Sequence, residues 1–324
     1  MGGPLGAGGV TPNIKDGTTA QTKTPVPGPT TPAVSKYDLI AQKVFGADDY
    51  DDYLRKNLTA TAFLSRQVPS VHLEVVNTLR AAEATAHASQ GTSYKAPEVS
   101  STLRRKKAMH AFGMAIDFDV LENPYILDEA GEAQLDPQLI QAYDHIAQFM
   151  LGKNQSDIPK IRKGRSAFGD GSVGAVFDAL KEESDAMKQY FAMMNDSQKL
   201  NDFLSKQWLT LHPGQTAPAA ATIQSQMQSD YETLGGTNAS GKKTPSNHGD
   251  RPFAPTSSGG RGDPATGFLN LDKDFVLAMT GAGFAWGAID FGAASGDVQH
   301  FDTRLLKYGR QAYNGLLGKF PTSK

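Results

Sequence analysis

The chain has 324 residues, of which 39% are hydrophobic, and its 32 basic and 34 acidic side chains leave a formal charge of -2. That is enough apolar material for a buried core, and the near-neutral balance argues against the broad basic face that nucleic acid or an anionic membrane would require. Cysteine is absent, which excludes disulfides and thiolate ligands, so any transition-metal site must draw on the seven histidines together with Asp or Glu.

Residues 1–35 are Gly-, Pro- and Thr-rich and cannot bury enough apolar surface to offset the entropy of ordering. They are expected to be a disordered tail, serving as a linker or as an address read by a delivery particle. No run approaches the roughly 18 apolar residues of a membrane span, and the first residues lack the basic-then-apolar order of a secretory signal. The expectation is a soluble chain without a signal peptide, cytoplasmic on synthesis, that reaches any target outside the cell after lysis or through a delivery machine.

Helical periodicity begins near Tyr37. Val71, Val75, Val76, Leu79 and Ala82 then form an apolar stripe that predicts a helix starting at Pro69 or Ser70. Between Ser93 and Leu127 a Gly-containing loop leads into a strand in which Met114, Ile116, Phe118 and Val120 alternate with Ala115, Asp117 and Asp119, ended by Asn123-Pro124. Asp136 and Pro137 start another helix, with Leu139, Ile140, Tyr143, Ile146, Phe149 and Met150 on its buried face. More helix is expected over 173–208. The stretch 212–268 is rich in Gly, Pro, Ser, Thr and Asn and reads as a long loop or lid. A helix over Asp272 to Thr280 is stopped by Gly281 and Gly283, and strands are predicted over Phe284 to Trp286 and Val298 to Phe301.

The fold class is therefore expected to be α+β, a small antiparallel sheet with flanking helices interrupted by a helical insertion. The expected parts are the tail at 1–35, the first half of the core at 36–130, the insertion at 131–211, a flexible loop at 212–264 and the second half of the core at 265–324.

His110 and Asp117 lie seven residues apart around Gly113. On one continuous strand an odd spacing would send their side chains to opposite faces, so they converge only if His110 sits on a bend before the strand, which Gly113 permits. Ala115 shares the Asp117 face and leaves room beside it, while Ile116 and Phe118 anchor the other face in the core. Near the C-terminus, Asp297 precedes His300 by three residues, after the aromatic segment Gly283-Phe284-Ala285-Trp286-Gly287. Catalytic zinc typically takes three His or carboxylate ligands and keeps one position for water, and His110, Asp117 and His300 would supply that set. Asp297 is placed to act as general base without being a ligand.

These two segments resemble the signature of the zinc D-Ala-D-Ala carboxypeptidase and L-Ala-D-Glu endopeptidase family, which includes VanY-type enzymes and phage endolysins. Its pattern is Ser-x-His-x-x-Gly-x-Ala-x-Asp, followed much later by an acid, two residues and His. His110, Gly113, Ala115 and Asp117 match the first motif, Asn123-Pro124-Tyr125 a common continuation, and Asp297 with His300 the second. The resemblance covers about 100 residues in two pieces. It implies a zinc peptidase hydrolysing peptidoglycan stem peptides or cross-links, a lysin or delivered cell-wall effector, with Zn2+ on His110, Asp117 and His300 and Asp297 as the acid/base. It also implies an arginine upstream of the first histidine that polarises the scissile carbonyl, and both Arg104 and Arg105 are candidates. Ala108 stands where the family has serine, and the span between Asp117 and His300 is much longer than in compact relatives. Two alternatives remain: a catalytically impaired zinc-containing binding module, and a structural component of a phage or contractile injection particle. Of the other histidines, His72, His87, His145 and His212 lie in or beside helical segments, and His248 lies in a polar loop able to fold over a cleft.

Overall fold

Ser35 opens the first helix, α1 (Lys36–Phe45), by accepting from the Asp38 N–H, and Gly46 closes it in the left-handed conformation with φ 68°. In the computed structural model the described residues are 34–126, 136–154, 156–237, 252–253, 255–256, 259–260 and 262–320. The expected tail, apart from its last two residues, lies outside them, as does His248. The described residues from Ser35 onward form one compact unit.

After α2 (Tyr50–Asn57), capped by Asp49, the chain forms a hairpin of β1 (Leu58–Phe63) and β2 (Arg66–His72). This corrects the helix start expected at Pro69 or Ser70. Thr59 pairs with Val71 and Thr61 with Val68, so Pro69 and Ser70 occupy an irregularity in the ladder, and Ser70 has φ 54°. Proline lacks the N–H of a regular ladder and is tolerated at such a bulge. The helix α3 (Leu73–Gln90) begins only after His72, whose Nδ1 accepts from the Glu74 N–H. Val75, Val76, Leu79 and Ala82 are buried along it as the stripe predicts.

The central sheet has the order β3-β4-β8-β7 and is antiparallel throughout: β3 (Val99–Ser101), β4 (Ala115–Phe118), and, after the helical region, β7 (Ala285–Trp286) and β8 (His300–Asp302). β4 is shorter than the alternating pattern suggested because Asp119 turns out of the strand at φ 42°. All four of its residues are buried. Phe118 packs against Phe63, Phe275 and Phe301, which places the aromatic core on the face opposite Asp117.

Between β4 and β8 stand α4 (Pro137–Leu151), capped by Asp136, α5 (Ile158–Ile161), α6 (Val173–Ala192), and α7 (Ser197–Phe203), which runs through a π-helical turn at Leu204–Trp208 into α8 (Leu209–Leu211). The helix expected over 173–208 is broken before Asp196, which accepts from the Lys199 N–H and starts α7 afresh. The loop expected over 212–264 also needs correction, because Ala220–Thr233 forms a helix, α9, packed on α4, α6 and α7. Two short strands, β5 (Pro255–Thr256) and β6 (Gly259–Gly260), follow. α10 (Lys273–Gly281), capped by Asp272, covers α3, and α11 (Lys307–Leu316) covers α1. No described helix is long and apolar enough to cross a membrane.

Candidate metal centre

His110 sits in a turn of 3-10 helix, Ala108–Phe112, that ends at Gly113 with φ 60°. A Cβ on Gly113 would stand 2.7 Å from the Ser70 carbonyl oxygen and 2.8 Å from Leu58 Cδ2, so only glycine lets the turn lie against the β1-β2 hairpin and reverse into β4. This is the bend the seven-residue spacing requires. The Tyr50 and Tyr53 hydroxyls donate to the carbonyls of Ala111 and Phe112 and fix the turn from behind. Asp117 lies within β4 and pairs in register with His300 on β8, so strand pairing brings two distant residues face to face.

Three ligand-type atoms converge. His110 Nε2 is 3.1 Å from Asp117 Oδ1 and 3.2 Å from His300 Nδ1, and His300 Nδ1 is 2.8 Å from Asp117 Oδ1. Bonds of about 2.0–2.1 Å at tetrahedral angles set ligand atoms about 3.3 Å apart, so this triangle is close to the size that zinc requires. All three side chains are buried, and they are the group of His and carboxylate side chains among the described residues that could hold a metal ion.

The outer partners set the tautomers. His110 Nδ1 faces the Thr102 carbonyl oxygen at 2.8 Å; a carbonyl only accepts, so Nδ1 carries the proton and Nε2 presents its lone pair. His300 Nε2 lies 3.4 Å from Asp302 Oδ2, which directs the proton to Nε2 and the lone pair of Nδ1 inward. Asp302 is fully buried and is gripped by Arg304 through contacts of 2.7–2.9 Å. Two imidazole lone pairs and a carboxylate oxygen thus point at one another, an arrangement that favours a positive charge at its centre. The same surroundings also favour a proton there: burial pulls the His300 imidazolium down, but its hydrogen bonds to Asp117 and Asp302 outweigh that and push it up to about 10, so the Nδ1 lone pair faces inward only when that proton is lost. Burial likewise raises Asp117, and its bonds to His110 and His300 overcome the effect and hold it below the usual carboxylate range.

Asp297 Oδ2 lies 3.9 Å from His300 Nδ1, at the edge of the triangle and partly exposed. Its backbone forms a bridge with Tyr125, and its N–H donates to the Gly287 carbonyl. A Cβ on Gly287 would meet the Asp297 carbonyl oxygen at 2.4 Å and the Cβ atoms of Asp297 and His300 at 3.0 and 3.1 Å, so this glycine holds both acidic and imidazole residues close.

The structure separates the two arginines. Arg104 donates to Asp117 Oδ2 at 2.8 Å with its side chain half exposed, whereas Arg105 pairs with the exposed Asp51 and lies over the Tyr50 ring. Sequence reasoning missed Thr102, Asp302 and Arg304. Asp302 carried a readable signal, since it stands two residues after His300 and strand periodicity puts both on one face.

The chain matches no family model, no curated protein and no solved structure.

Among the described residues, three contacts tie the helical region to this centre. Arg165 makes a bidentate ion pair with Asp290, both bonds 2.7 Å, and Asp290 also accepts from the Trp286 N–H. Phe177 of α6 stacks on Trp286 with centroids 6.2 Å apart, and the Tyr143 hydroxyl donates to the Ile126 carbonyl beside the Asp297 bridge. The segment from Gly287 to Asp297 is therefore pinned between sheet and insertion. With a cation at the triangle, Asp297 at its edge and Arg104 beside Asp117, the arrangement is chemically able to activate water against a polar double bond.

Proposed function

We propose that this chain is a zinc-dependent peptidase that hydrolyses peptides of the bacterial cell wall, either stem peptides or their cross-links. The reading is carried by the convergence of His110 Nε2, Asp117 Oδ1 and His300 Nδ1, each histidine oriented by an outer acceptor. The choice of substrate rests on the likeness of His110, Gly113, Ala115, Asp117, Asp297 and His300 to the carboxypeptidase and endopeptidase signature.

In this reading His110, Asp117 and His300 hold the metal. Zinc in such a donor set would lower the pKa of bound water toward about 7 and would polarise a carbonyl. Asp297, outside the ligand triangle, takes the proton from the attacking water and returns it to the amine as the C–N bond breaks. Arg104 has two roles: it fixes Asp117 through Oδ2, and its half-exposed guanidinium donates to the substrate carbonyl oxygen as negative charge grows there. Arg105 has no part in the chemical step. Delivery to the wall, by lysis or by a particle that reads the tail at 1–35, belongs to the same proposal.

The test is elemental analysis of the purified chain, with mass spectrometry of products from purified peptidoglycan with and without a chelator. About one zinc per chain and chelator-sensitive release of stem-peptide fragments are expected, with His300→Ala losing zinc and Asp297→Ala keeping zinc but losing hydrolysis. Zinc without cleavage would favour a binding module, which Ala108 in place of the family serine suggests. Failure to take up zinc on careful reloading would defeat the metal reading and favour a structural particle component.

A further inference from the structure

A cavity of about 420 Å³ opens where the ends of α1, α2 and β2 meet α3 and α11. Three rings form one wall: Phe45, His72 and Tyr308, with centroids 5.3 Å apart for Phe45–His72, 5.5 Å for His72–Tyr308 and 6.1 Å for Phe45–Tyr308. Lys56, Asn57 and Asn77 supply the polar lining. The volume lies in the range of small-molecule sites, which combine apolar walls with a few fixed polar groups.

The polar groups are specific in kind. His72 Nδ1 accepts from the Glu74 N–H, which fixes Nε2 as the protonated nitrogen. The residue is only 7% exposed overall, but it lines the cavity, and its Nε2 is not among the buried polar atoms left without a partner. Burial holds its pKa down at about 4, so the ring is neutral near pH 7. A ligand carbonyl in the cavity would accept from Nε2 in place of water. The Glu74 carboxylate is already committed to the Tyr308 and Gly309 N–H groups at the start of α11.

Charge narrows the ligand further. The Lys56 ammonium disfavours a cation in the aromatic corner, while Asp52 and Asp48 already neutralise Lys56 and leave little attraction for an anion. What remains is a neutral ligand with a carbonyl acceptor, hydroxyls for the two amides and a flat C–H face for the rings.

We propose that this cavity binds an N-acetylated amino sugar of a glycan strand. The acetamido carbonyl accepts from His72 Nε2, the sugar ring lies on Tyr308, and its hydroxyls meet Asn57 and Asn77. The cell wall as source of the sugar rests on the peptidase reading, whereas the chemistry of the cavity stands apart from it. The two sites share one structural element: the Ala108–Phe112 turn carries His110 to the metal centre and Phe112 to the aromatic wall, where Phe45 stacks on it at 5.6 Å.

The experiment is a calorimetric and NMR titration of the full zinc-loaded chain with a β-1,4-linked N-acetylglucosamine tetramer, using the glucose tetramer as the control lacking the acetamido group. Saturable binding of the acetylated tetramer is expected, at least tenfold tighter than the control, and at least tenfold weaker in both Tyr308→Ala and Asn77→Ala. Both positions are exposed, so the folded core is spared, and a matching melting temperature checks this. His300→Ala should bind the tetramer as the parent does. No saturable binding, equal binding of the two tetramers, or insensitivity to both substitutions would overturn the proposal. Loss of sugar binding with continued peptide release would leave the peptidase standing; sugar binding without peptide release would do the reverse.

Discussion

Replacing Asp302 by Asn tests whether the buried acid behind His300 prepares it to hold metal. Asp302 is fully buried, with Oδ2 3.4 Å from His300 Nε2 and both oxygens in contact with Arg304. Asn keeps the shape and can offer a neutral acceptor to Nε2, but it removes the charge that raises the basicity of Nδ1. Losing an outer-shell partner of this kind costs about 10–100-fold in metal affinity, or about 1.4–2.7 kcal/mol. The folding cost should fall below the ~3–5 kcal/mol of breaking a fully buried pair. The reason is that the Arg304 guanidinium remains stacked on Phe291, 3.3 Å from its ring centroid, and on Tyr313 at 4.5 Å. Competition against a chromophoric chelator reads the zinc affinity, and circular dichroism with a thermal melt confirms folding. A folded Asp302→Asn chain that binds zinc as tightly as the parent would refute the reasoning, since the metal affinity of His300 would then owe nothing to the charge of Asp302.

Gly287→Ala should destabilise the fold by about 1–3 kcal/mol and weaken zinc binding, because its methyl group would push on Asp297 and His300; an unchanged melt and affinity would contradict the close contacts seen there. Glu183 is buried in α6, and burial followed by repulsion from Asp157 pushes its carboxyl up to about 7. The folded state therefore keeps a proton that the unfolded chain releases near its ordinary 4.5, so stability should fall as pH rises from about 4.5 to 7, by about 3 kcal/mol in all. Glu183→Gln should flatten that part of the melting profile and be the more stable chain at pH 8, and a profile of unchanged slope would count against the assignment. Arg104→Ala should lower turnover by about 100-fold while Arg105→Ala changes it less than twofold; equal, mild effects in steady-state assays would remove Arg104 from the chemical step. Arg165→Ala should loosen the segment bearing Asp297 and cut kcat about tenfold with zinc affinity retained, and partial recovery in Arg165→Lys would separate positioning from general destabilisation.

Local chemistry was the most legible part of the fold. Asp136 before Pro137, and Asp272 before α10, are stop-and-start signals whose physics is complete within a few residues, and both act as caps. The β1-β2 hairpin was hidden because Val71 fits two patterns: it is i to Val75 on a helical stripe and also a buried strand position opposite Thr59. Only pairing with a distant strand decides between them. α9 was hidden for another reason. Its buried face includes Asp230, which apolar periodicity reads as solvent-facing. That carboxylate is tolerated inside because the Tyr190 hydroxyl, His145 Nδ1 and Gln226 bond to it, and two of those three partners come from other helices.

The candidate site divides along the same line. His110, Asp117 and His300 stood out because, without cysteine, few residue types can hold a transition metal, and the odd spacing across Gly113 already demanded a bend. Their convergence depends on the register of β4 with β8, which joins positions 183 residues apart and follows from the burial of Ile116 and Phe301 on the other side of the sheet. Shifting that register by one residue would turn Asp117 into the aromatic core and Phe118 toward the histidines, so the apolar pairing that stabilises the sheet also assembles the metal centre. The choice between Arg104 and Arg105 had no such constraint in sequence. It is made by the backbone, where Arg104 N–H donates to the His110 carbonyl and Lys106 and Ala108 take φ of 58° and 43°, a tight reversal that sends adjacent arginines to different acids. Left-handed conformations at non-glycine residues cost about 1–3 kcal/mol each, and here that cost is met by the turn whose closure sets His110 against Asp117.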